Sequence, residues 1–387
     1  MINIKKLSLL YMLRFILAII LLILLFLLSK SVSLEQFTSL KTNPYYPVSM
    51  KLNDGDKRRL NVKVDNEIAL KQYDYTTLFY NIFLDYNNEH LVFVGPNLLN
   101  LKDKYMDFSV IFNGSKTTRS HSKHGSHYFY FKYGVKNVAE KNSVEIHING
   151  HKKQVNIAKN NYKCGDRILI TKQKNNRSRW LVDWIKHYTN RYNVTNIIIF
   201  DNNSDEFDTI NNELAQFKHV QFIPYNFPFG IPKLFPSNFL QHSLMEIGFQ
   251  QFCKDDAYIF NFDIDELLAL DPNHLDKMLK GNTTYYEFKD WFVPMTLDKD
   301  SDYSFKDFLY KDAKPNDKSY KYIVNKSNTD TIKIHYPKTK NKKLHDGGYF
   351  LHYKGITTNW KHFFGTSNRL KQVNDMSNVV EIDNYNR

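Results

Sequence analysis

The sequence predicts an α/β protein built on a largely parallel sheet, preceded by a small β-rich region and an N-terminal transmembrane helix. From residue 167 onward, short apolar runs alternate with segments of helical periodicity, the pattern of a parallel sheet with helix-covered faces. Before that point, alternating apolar and polar residues predict antiparallel strands. The first thirty residues carry one long apolar run, which predicts a membrane span.

Length and composition exclude several classes of protein. Of the 387 residues, 42% are hydrophobic and 24% charged, which predicts a sizeable core and excludes global disorder. The formal net charge of +13 suits anionic partners such as phosphorylated substrates. Two cysteines, Cys164 and Cys253, exclude a disulfide framework and leave open whether they pair. Because the basic residues are scattered and no RNA- or DNA-binding motif occurs, we expect no nucleic-acid partner.

The N-terminus is predicted to anchor the chain in a membrane. Residues 15–28 read FILAIILLILLFLL, and with the apolar residues before them the segment approaches the roughly 20 residues that span a bilayer. Lys5 and Lys6 precede the run, which predicts a cytoplasmic N-terminus. The alternative is a cleaved signal peptide. We expect residues 1–30 to be the tail and signal anchor of a single-pass type II membrane protein, in the Golgi lumen if eukaryotic and otherwise membrane-associated.

Three regions follow the predicted anchor. Residues 31–60 are polar and contain two prolines, so they are predicted to be a stalk or linker. Residues 61–160 are predicted to form a β-rich accessory domain, a small sandwich. Residues 161–387 are predicted to form the α/β domain.

The β-rich region carries one strong hairpin signal. Between residues 143 and 158, two alternating segments flank Asn149-Gly150, a dipeptide typical of tight β-turns. The apolar segments at 91–94 and 128–133 predict two more strands. No chemistry is evident in this region from the sequence.

The α/β region is predicted to contain at least four strands and three helices. The strands are the short apolar runs at 167–171, 196–200, 219–223 and 257–262. The helices carry apolar residues at helical spacing and cover 178–192, 206–217 and 239–252. Ligands of such sheets bind beyond the carboxyl ends of the strands. Acidic clusters follow two of these strands, at 201–206 and 263–266, and this coincidence predicts a site there.

Asp263 and Asp265 directly follow the fourth strand. Other Asp-x-Asp pairs, at 54–56, 298–300 and 300–302, stand in turn-like polar sequence. Two carboxylates one residue apart would face the same way and repel unless a cation lay between them. Mg²⁺ or Mn²⁺ suits such oxygen ligands and could stabilise a diphosphate leaving group. The alternative is a helix N-cap, with Asp263 or Asp265 preceding a helix from residue 266.

Asp201 ends the second strand, and the residues after it, Asn202, Asn203 and Ser204, are typical of a turn. A functional interpretation makes Asp201 a hydrogen-bond partner of a nucleoside. The alternative is a strand-to-helix turn in which Ser204 or Asp205 caps the next helix.

These motifs form an ordered series. The segments are 174–176 (KNN), 183–185 (DWI), 200–205 (FDNNSD), 262–267 (FDIDEL), 321–323 (KYI), His335 and 351–353 (LHY). The series resembles glycosyltransferases of the GT-A fold, closest to the family 2-like and family 92 group, over about half the chain. Asn176 and Asp183 stand where that group has glutamate, and Leu267 where phenylalanine is common.

The resemblance implies a GT-A (nucleotide-diphospho-sugar transferase) Rossmann-like domain that transfers a sugar from a nucleotide-sugar, expected to be a UDP-sugar, to a glycan hydroxyl. It implies that Asp265 binds Mn²⁺ or Mg²⁺ and that Asp263 contacts the metal or the ribose. A late histidine completes the metal shell in many such enzymes, and His352 is our first choice, with His335 second. The residues implied near the donor nucleotide are Lys174, Asn175, Asp201, Asn203 and Asp263.

An inverting transfer, which we expect here, needs a carboxylate to deprotonate the acceptor hydroxyl. Asp290, between a predicted strand at 284–288 and Trp291, is the first candidate, and Asp346 is the second. Two other functions fit the same acidic edge and stay open. One is a nucleotidyl- or phosphosugar-transferase, and the other is a catalytically inactive, membrane-tethered glycan-binding protein.

Overall fold

The structure is a computed structural model. It describes residues 45–60, 63–231, 234, 237–281, 285–298, 301–335, 337–339, 348–358 and 377–382. The predicted anchor at residues 1–30 and residues 31–44 of the predicted stalk lie outside these ranges, whereas residues 45–60 are described. Within them, no helix combines the length and the apolar character needed to cross a membrane. The described residues from 45 onward form one compact unit, and the predicted domain boundaries within it stay predictions.

The first part of the described chain is rich in short antiparallel strands. These strands are β1 (Met50–Lys51), β2 (Thr77–Phe79), β3 (Asn81–Leu84), β4 (His90–Pro96), β5 (Phe108–Phe112), β6 (Ser115–Thr117), β7 (Arg119–His124), β8 (Tyr128–Gly134), β9 (Lys141–Ile148) and β10 (His151–Ala158). The helical segments are α1 (Glu67–Leu70), a 3₁₀ turn at Leu99–Leu101 and α2 (Lys102–Tyr105).

Strands β3 to β10 form a sandwich of two four-stranded sheets with the orders β3-β4-β8-β7 and β10-β9-β5-β6. Their inner side chains, among them Phe93 and Val144, share one apolar core. Asn149 and Gly150 both have positive φ, 51° and 72°, as a two-residue type I′ turn requires. The predicted hairpin is therefore confirmed, and β4 and β8 confirm the predicted strands at 91–94 and 128–133.

The second part is a mixed α/β arrangement. Its strands are β11 (Arg167–Gln173), β12 (Asn196–Asp201), β13 (Val220–Pro224), β14 (Tyr258–Asn261), β15 (Glu266–Ala269), β16 (Tyr285–Val293), β17 (Tyr310–Asp312), β18 (Asn316–Asn325), β19 (Thr329–Thr331), β20 (Lys338–Thr339), β21 (Tyr349–Tyr353) and β22 (Val379–Glu381). Its helices are α3 (Ser178–Lys186), continued by a π-helical turn (His187–Arg191), α4 (Phe207–Leu214), α5 (Phe239–Gln251) and α6 (Pro272–Lys280), with 3₁₀ turns at Phe305–Asp307 and Lys326–Asn328.

In the described residues, eight of these strands form one curled sheet in the order β13-β12-β11-β14-β18-β16-β21-β15. Strands β13, β12, β11 and β14 are parallel, which confirms the predicted parallel sheet at this end. Strand β18 runs antiparallel to β14 and to β16, so the other half of the sheet is mixed. The arrangement is consistent with a Rossmann-like α/β fold.

Helix α5 connects the sandwich to the large sheet. Each of its residues is buried, and it contacts β3, β4 and β8 on one side and β11 on the other. A Cβ on Gly248 would lie 2.8 Å from Cγ2 of Ile170, so a glycine allows the helix to approach β11 this closely. Glu246, fully buried in the same helix, accepts a 2.9 Å hydrogen bond from the Tyr128 hydroxyl of β8.

The question of cysteine pairing is answered by the structure. Cys164 and Cys253 are both free thiols. Cys164 Sγ accepts a 3.2 Å hydrogen bond from the backbone N–H of Lys254, and Cys253 is fully buried. Burial raises the pKa of both thiols, which keeps them protonated.

Candidate active site at the carboxyl edge of the sheet

Strands β11, β12 and β14 end at one edge of the sheet, and their last residues bring the predicted acidic clusters together. Gln173 and Asp201 are register partners on β11 and β12, and the Gln173 amide donates a hydrogen bond to Asp201. Lys172, the preceding residue of β11, binds Asp263 beyond β14. Two successive residues of β11 thus contact both acidic clusters, as the parallel arrangement predicts.

Two lysines hold Asp263 from opposite sides. Lys172 binds its Oδ1, and Lys321 Nζ of β18 lies 2.8 Å from its Oδ2. Lys321 also lies 2.8 Å from Oε2 of Glu266, and its side chain is 1% exposed. Burial lowers the pKa of Lys321, but Asp263 and Glu266 outweigh that effect and raise it. Two ammonium groups therefore supply the positive charge beside Asp263. The sequence had led us to expect a metal ion in that role.

Asp265, Glu266 and His352 form a second group beside this lysine pair. One ligand atom from each lies within 4.8 Å of the others. His352 stands opposite Glu266 in the β15–β21 register, and its Nε2 lies 3.2 Å from Asp265 Oδ2. Two carboxylates and one imidazole are a donor set that fits Mn²⁺ or Mg²⁺. The structure therefore brings Asp265 and His352 together as predicted ligands, adds Glu266, and does not bring Asp263 into this group.

The helix-cap interpretation of this motif is wrong. The residues after Asp265 begin strand β15, and no helix starts there. The Trp184 indole N–H of α3 donates to the carbonyl of Asp263 at 2.9 Å. The backbone N–H of Tyr353 donates to the carbonyl of Asp265 at 2.8 Å. Backbone contacts from two elements therefore fix the loop that carries both carboxylates.

Asp290 lies behind His352. Its side chain is fully buried, and its Oδ2 is 3.3 Å from His352 Nδ1. A carboxylate at Nδ1 favours the tautomer that leaves Nε2 as the ligand atom. Burial lowers the pKa of His352, but Asp265 and Asp290 outweigh this and raise it. The role of Asp290 as a catalytic base stays a prediction, and Asp346 lies outside the described residues.

The predicted nucleoside residues lie in two interlocked loops after β11 and β12. Asn175 donates to Asp205 Oδ2 at 2.9 Å and accepts from the Asp205 backbone at 2.8 Å. Asp201 is fully buried, and its carboxylate accepts hydrogen bonds from the Ser204 hydroxyl at 2.6 Å and backbone at 2.9 Å. Lys174 follows β11, and Asn203 has φ +60°. These loops bring Lys174, Asn175, Asp201 and Asn203 to one edge, with Asp201 turned inward as an anchor.

The segment is a strand-to-helix turn, as the alternative predicted, but neither Ser204 nor Asp205 caps the next helix. Helix α4 has Glu206 at its N-cap, with no side-chain capping bond. The Ser204 hydroxyl instead accepts the backbone N–H of Asn175 at 2.7 Å, which ties the two loops together.

One residue named from the sequence lies outside the metal-ligand group, and other residues of this edge had no role assigned. His335, the second choice for the metal shell, is exposed and lies outside the group formed by Asp265, Glu266 and His352. Lys172 and Gln173 were not singled out as site residues, and Lys321 appeared only in the 321–323 motif without an assigned role. For Lys172 and Gln173 the signal was present, because a polar or charged residue at the end of an apolar strand needs a buried partner. Lys321 lies within β18 and gave no such signal.

Comparisons with known proteins give no family for the chain. No family model matches it, and no curated protein matches it. Among solved structures, it is similar to HddC from Yersinia pseudotuberculosis, with 12% identity and a TM-score of 0.29 over 49% of this chain and 94% of HddC. It is also similar to the galactosyltransferase LgtC, solved with donor and acceptor sugar analogs, with 12% identity and a TM-score of 0.26 over 41% of this chain and 58% of LgtC. The chain thus spans less than two thirds of LgtC, and at these scores neither likeness bears on function.

Proposed function

We propose that the protein is a metal-dependent glycosyltransferase of the GT-A fold, which moves a sugar from a nucleotide-sugar, expected to be a UDP-sugar, to a glycan hydroxyl. One observation carries the proposal. Asp265, Glu266 and His352 converge just beyond the carboxyl end of β14, the last of the parallel strands, on the side of the sheet where α/β proteins bind ligands. The order of the motifs along the chain supports the same function.

The residues at this edge have different proposed roles. Asp265, Glu266 and His352 would hold Mn²⁺ or Mg²⁺, which when bound neutralises the diphosphate that leaves as the sugar is transferred. Lys172 and Lys321 hold the Asp263 carboxylate in place, and its side chain, 26% exposed, can accept a hydrogen bond from the ribose. Lys174 and Asn175 face the same edge from the loop after β11.

Asp290 orients His352 in this proposal. A general base must come within hydrogen-bond reach of the proton it removes, and the Asp290 side chain has no exposed surface. Its 3.3 Å contact with His352 Nδ1 instead fixes the imidazole ring. Asp346, the second candidate from the sequence, is then the predicted base for an inverting transfer.

The location of the protein is also a proposal. The apolar run at residues 15–28 supports a single-pass type II anchor, with the transferase on the far side of the membrane. A lumenal active site would meet glycan acceptors as they are built.

A donor-turnover assay tests the function. The full chain is incubated with a panel of nucleotide-sugars, with Mn²⁺ or with EDTA, and released nucleotide is measured. We expect Mn²⁺-dependent release from at least one donor, loss of it in Asp265→Ala, and full activity in Asp54→Ala, a matched change in an exposed Asp-x-Asp. Phosphate retained on the product would favour the phosphosugar-transferase alternative. No metal-dependent release from any donor would favour the inactive glycan-binding protein.

A further inference from the structure

A polar cleft of about 800 Å³ lies between the sandwich and the large sheet, away from the carboxyl edge. One wall comes from the β3–β4 turn and from strands β7 and β8. The other wall comes from the end of α5, the turn after it, and the residues around β19. The volume is in the range of pockets that enclose small ligands.

The cleft is separate from the candidate active site. Asp255, in its lining, precedes β14, whereas Asp263 follows the same strand. Because a strand rises about 3.3 Å per residue, the four residues of β14 alone separate the two by about 13 Å. Lys326, also in the lining, follows Asn325, which pairs with Tyr258 at the start of β14. The cleft therefore opens at the amino end of the strand whose carboxyl end carries the acidic motif.

Charges of both signs line the cleft, and several compensate each other. Asp85 Oδ2 lies 2.8 Å from His90 Nδ1. Asp255 lies 3.3 Å from Lys326 Nζ and accepts a 2.9 Å hydrogen bond from Asn87. An ionic ligand of either sign would meet fixed charges of its own sign here. A neutral ligand that both donates and accepts hydrogen bonds meets no such repulsion.

Two further features match a sugar. Lys132 is half-buried in the lining, where Asp85 contacts His90 and Asp255 contacts Lys326, and an ammonium group at this position can donate a hydrogen bond to a ligand oxygen. The exposed ring of His121 is stacked on Tyr130 with centroids 5.4 Å apart and an angle of 23°. A flat ring that stacks on a second ring can pack its other face against the C–H groups of a pyranose. Lysine and carboxylate groups nearby can form hydrogen bonds with the hydroxyl groups of the sugar.

We propose that this cleft is a second carbohydrate site, which binds a neutral oligosaccharide without nucleotide or metal. The inference goes beyond the proposed transfer, because binding there uses none of the residues at the carboxyl edge. If the transfer takes place, the site would hold a second stretch of glycan while the acidic edge acts on another.

Binding of defined oligosaccharides tests the site. The full chain, in EDTA and without nucleotide, is titrated calorimetrically with maltotriose, mannotriose, triacetylchitotriose and lacto-N-tetraose, and with a heparin tetrasaccharide as the acidic comparison. We expect at least one neutral sugar to bind with a Kd in the millimolar range or tighter. Lys132→Met and Asp330→Ala, both in the lining, should weaken that binding at least tenfold. Lys136→Met, exposed and outside the lining, should leave it unchanged.

Failure of this site and failure of the proposed transfer give different results. Asp265→Asn should retain oligosaccharide binding while it loses donor turnover, and Lys132→Met should do the reverse with an unchanged melting temperature. Asp330→Ala, at an exposed position, repeats the test where folding is not at risk. The proposal is overturned if no neutral sugar binds, if only the heparin fragment binds, or if Asp265→Asn abolishes binding while both cleft variants retain it.

Discussion

Lys321 places its buried ammonium 2.8 Å from Oδ2 of Asp263, at the point where the central strand of the sheet ends. The lysine comes from β18, the neighbour of β14, so the contact crosses the edge of the sheet. Lys172 reaches the same carboxylate from β11 on the other side. Two lysines from the strands that flank β14 thus fix the orientation of the Asp263 side chain.

Removing the Lys321 ammonium group should lower the free energy of unfolding. Lys321→Met would leave Glu266, 3% exposed, without its ammonium partner, and breaking a buried ion pair from one side costs about 3–5 kcal/mol. Urea unfolding of the full chain measures the loss in free energy of unfolding. Lys63→Met, which removes an exposed pair with Asp65, should leave that free energy unchanged within error. A loss in Lys321→Met no larger than that of the control would contradict a stabilising role for the contacts of Lys321 with Asp263 and Glu266.

Asp290→Asn separates an orienting role from a catalytic one. If Asp290 orients His352, the Mn²⁺ concentration for half-maximal activity should rise about 10–100-fold, because such supporting carboxylates contribute that much to metal affinity. Turnover at saturating Mn²⁺ should stay close to that of the unchanged chain. If Asp290 is instead the general base, turnover should fall by about 10²–10⁴-fold at every Mn²⁺ concentration. A Mn²⁺ titration of initial rates distinguishes the two.

The parallel half of the sheet could be predicted from sequence because its strands are short and mostly apolar, with helical segments between most of them. The segment 196–200 is NIIIF, and the structure buries all of β12. The mixed half could not be predicted in this way. Strand β18 reads NDKSYKYIVN, with polar residues through its first half, and its partners lie far away along the chain. Pairing of that kind depends on tertiary contacts that a local pattern does not contain.

The candidate site was predicted in part. Asp265 and His352 are 87 positions apart in the sequence and in contact in the structure. The resemblance of the motifs, rather than any spacing, predicted that they share a site. The source of the positive charge beside Asp263 could not be predicted from the sequence, for a physical reason. Repulsion between neighbouring carboxylates requires a positive charge, but it does not specify whether that charge is a metal ion or a lysine. Lys172 and Lys321 supply it from strands that flank β14, which sequence order alone does not reveal.

The Asp201–Ser204 contact should behave as one unit. Ser204→Ala and Asp201→Ala should each lower the free energy of unfolding by about 1–3 kcal/mol, because each leaves buried hydrogen-bonding groups unpaired. In a double-mutant cycle the two should couple by about 0.5–3 kcal/mol. Ser120→Ala, in the sandwich, should combine additively with Asp201→Ala. If Asp201 contacts the nucleoside directly, Asp201→Asn should instead raise the donor KM while stability stays unchanged.

His242 should make the fold sensitive to acid. It is 5% exposed on α5 and its ring is stacked on His127 with centroids 3.9 Å apart. Burial, aided by the positive neighbours His127 and Lys172, lowers the pKa of His242 to about 2. The folded state therefore keeps His242 neutral, whereas the unfolded chain binds a proton below about pH 6.5. The stability that depends on neutral His242 is complete above pH 6.5 and is lost as the pH falls towards 2.

Between pH 7 and pH 5, this difference in proton binding should cost about 2 kcal/mol of unfolding free energy. His242→Gln cannot take up a proton, so its stability should fall by about 2 kcal/mol less than that of the unchanged chain over the same interval. Urea unfolding at both pH values gives the comparison. Ser243→Ala, at the adjacent fully buried position, is the matched control and should keep the full pH dependence. Equal pH dependence in His242→Gln and the unchanged chain would mean that His242 is protonated in the fold or already neutral in the unfolded state.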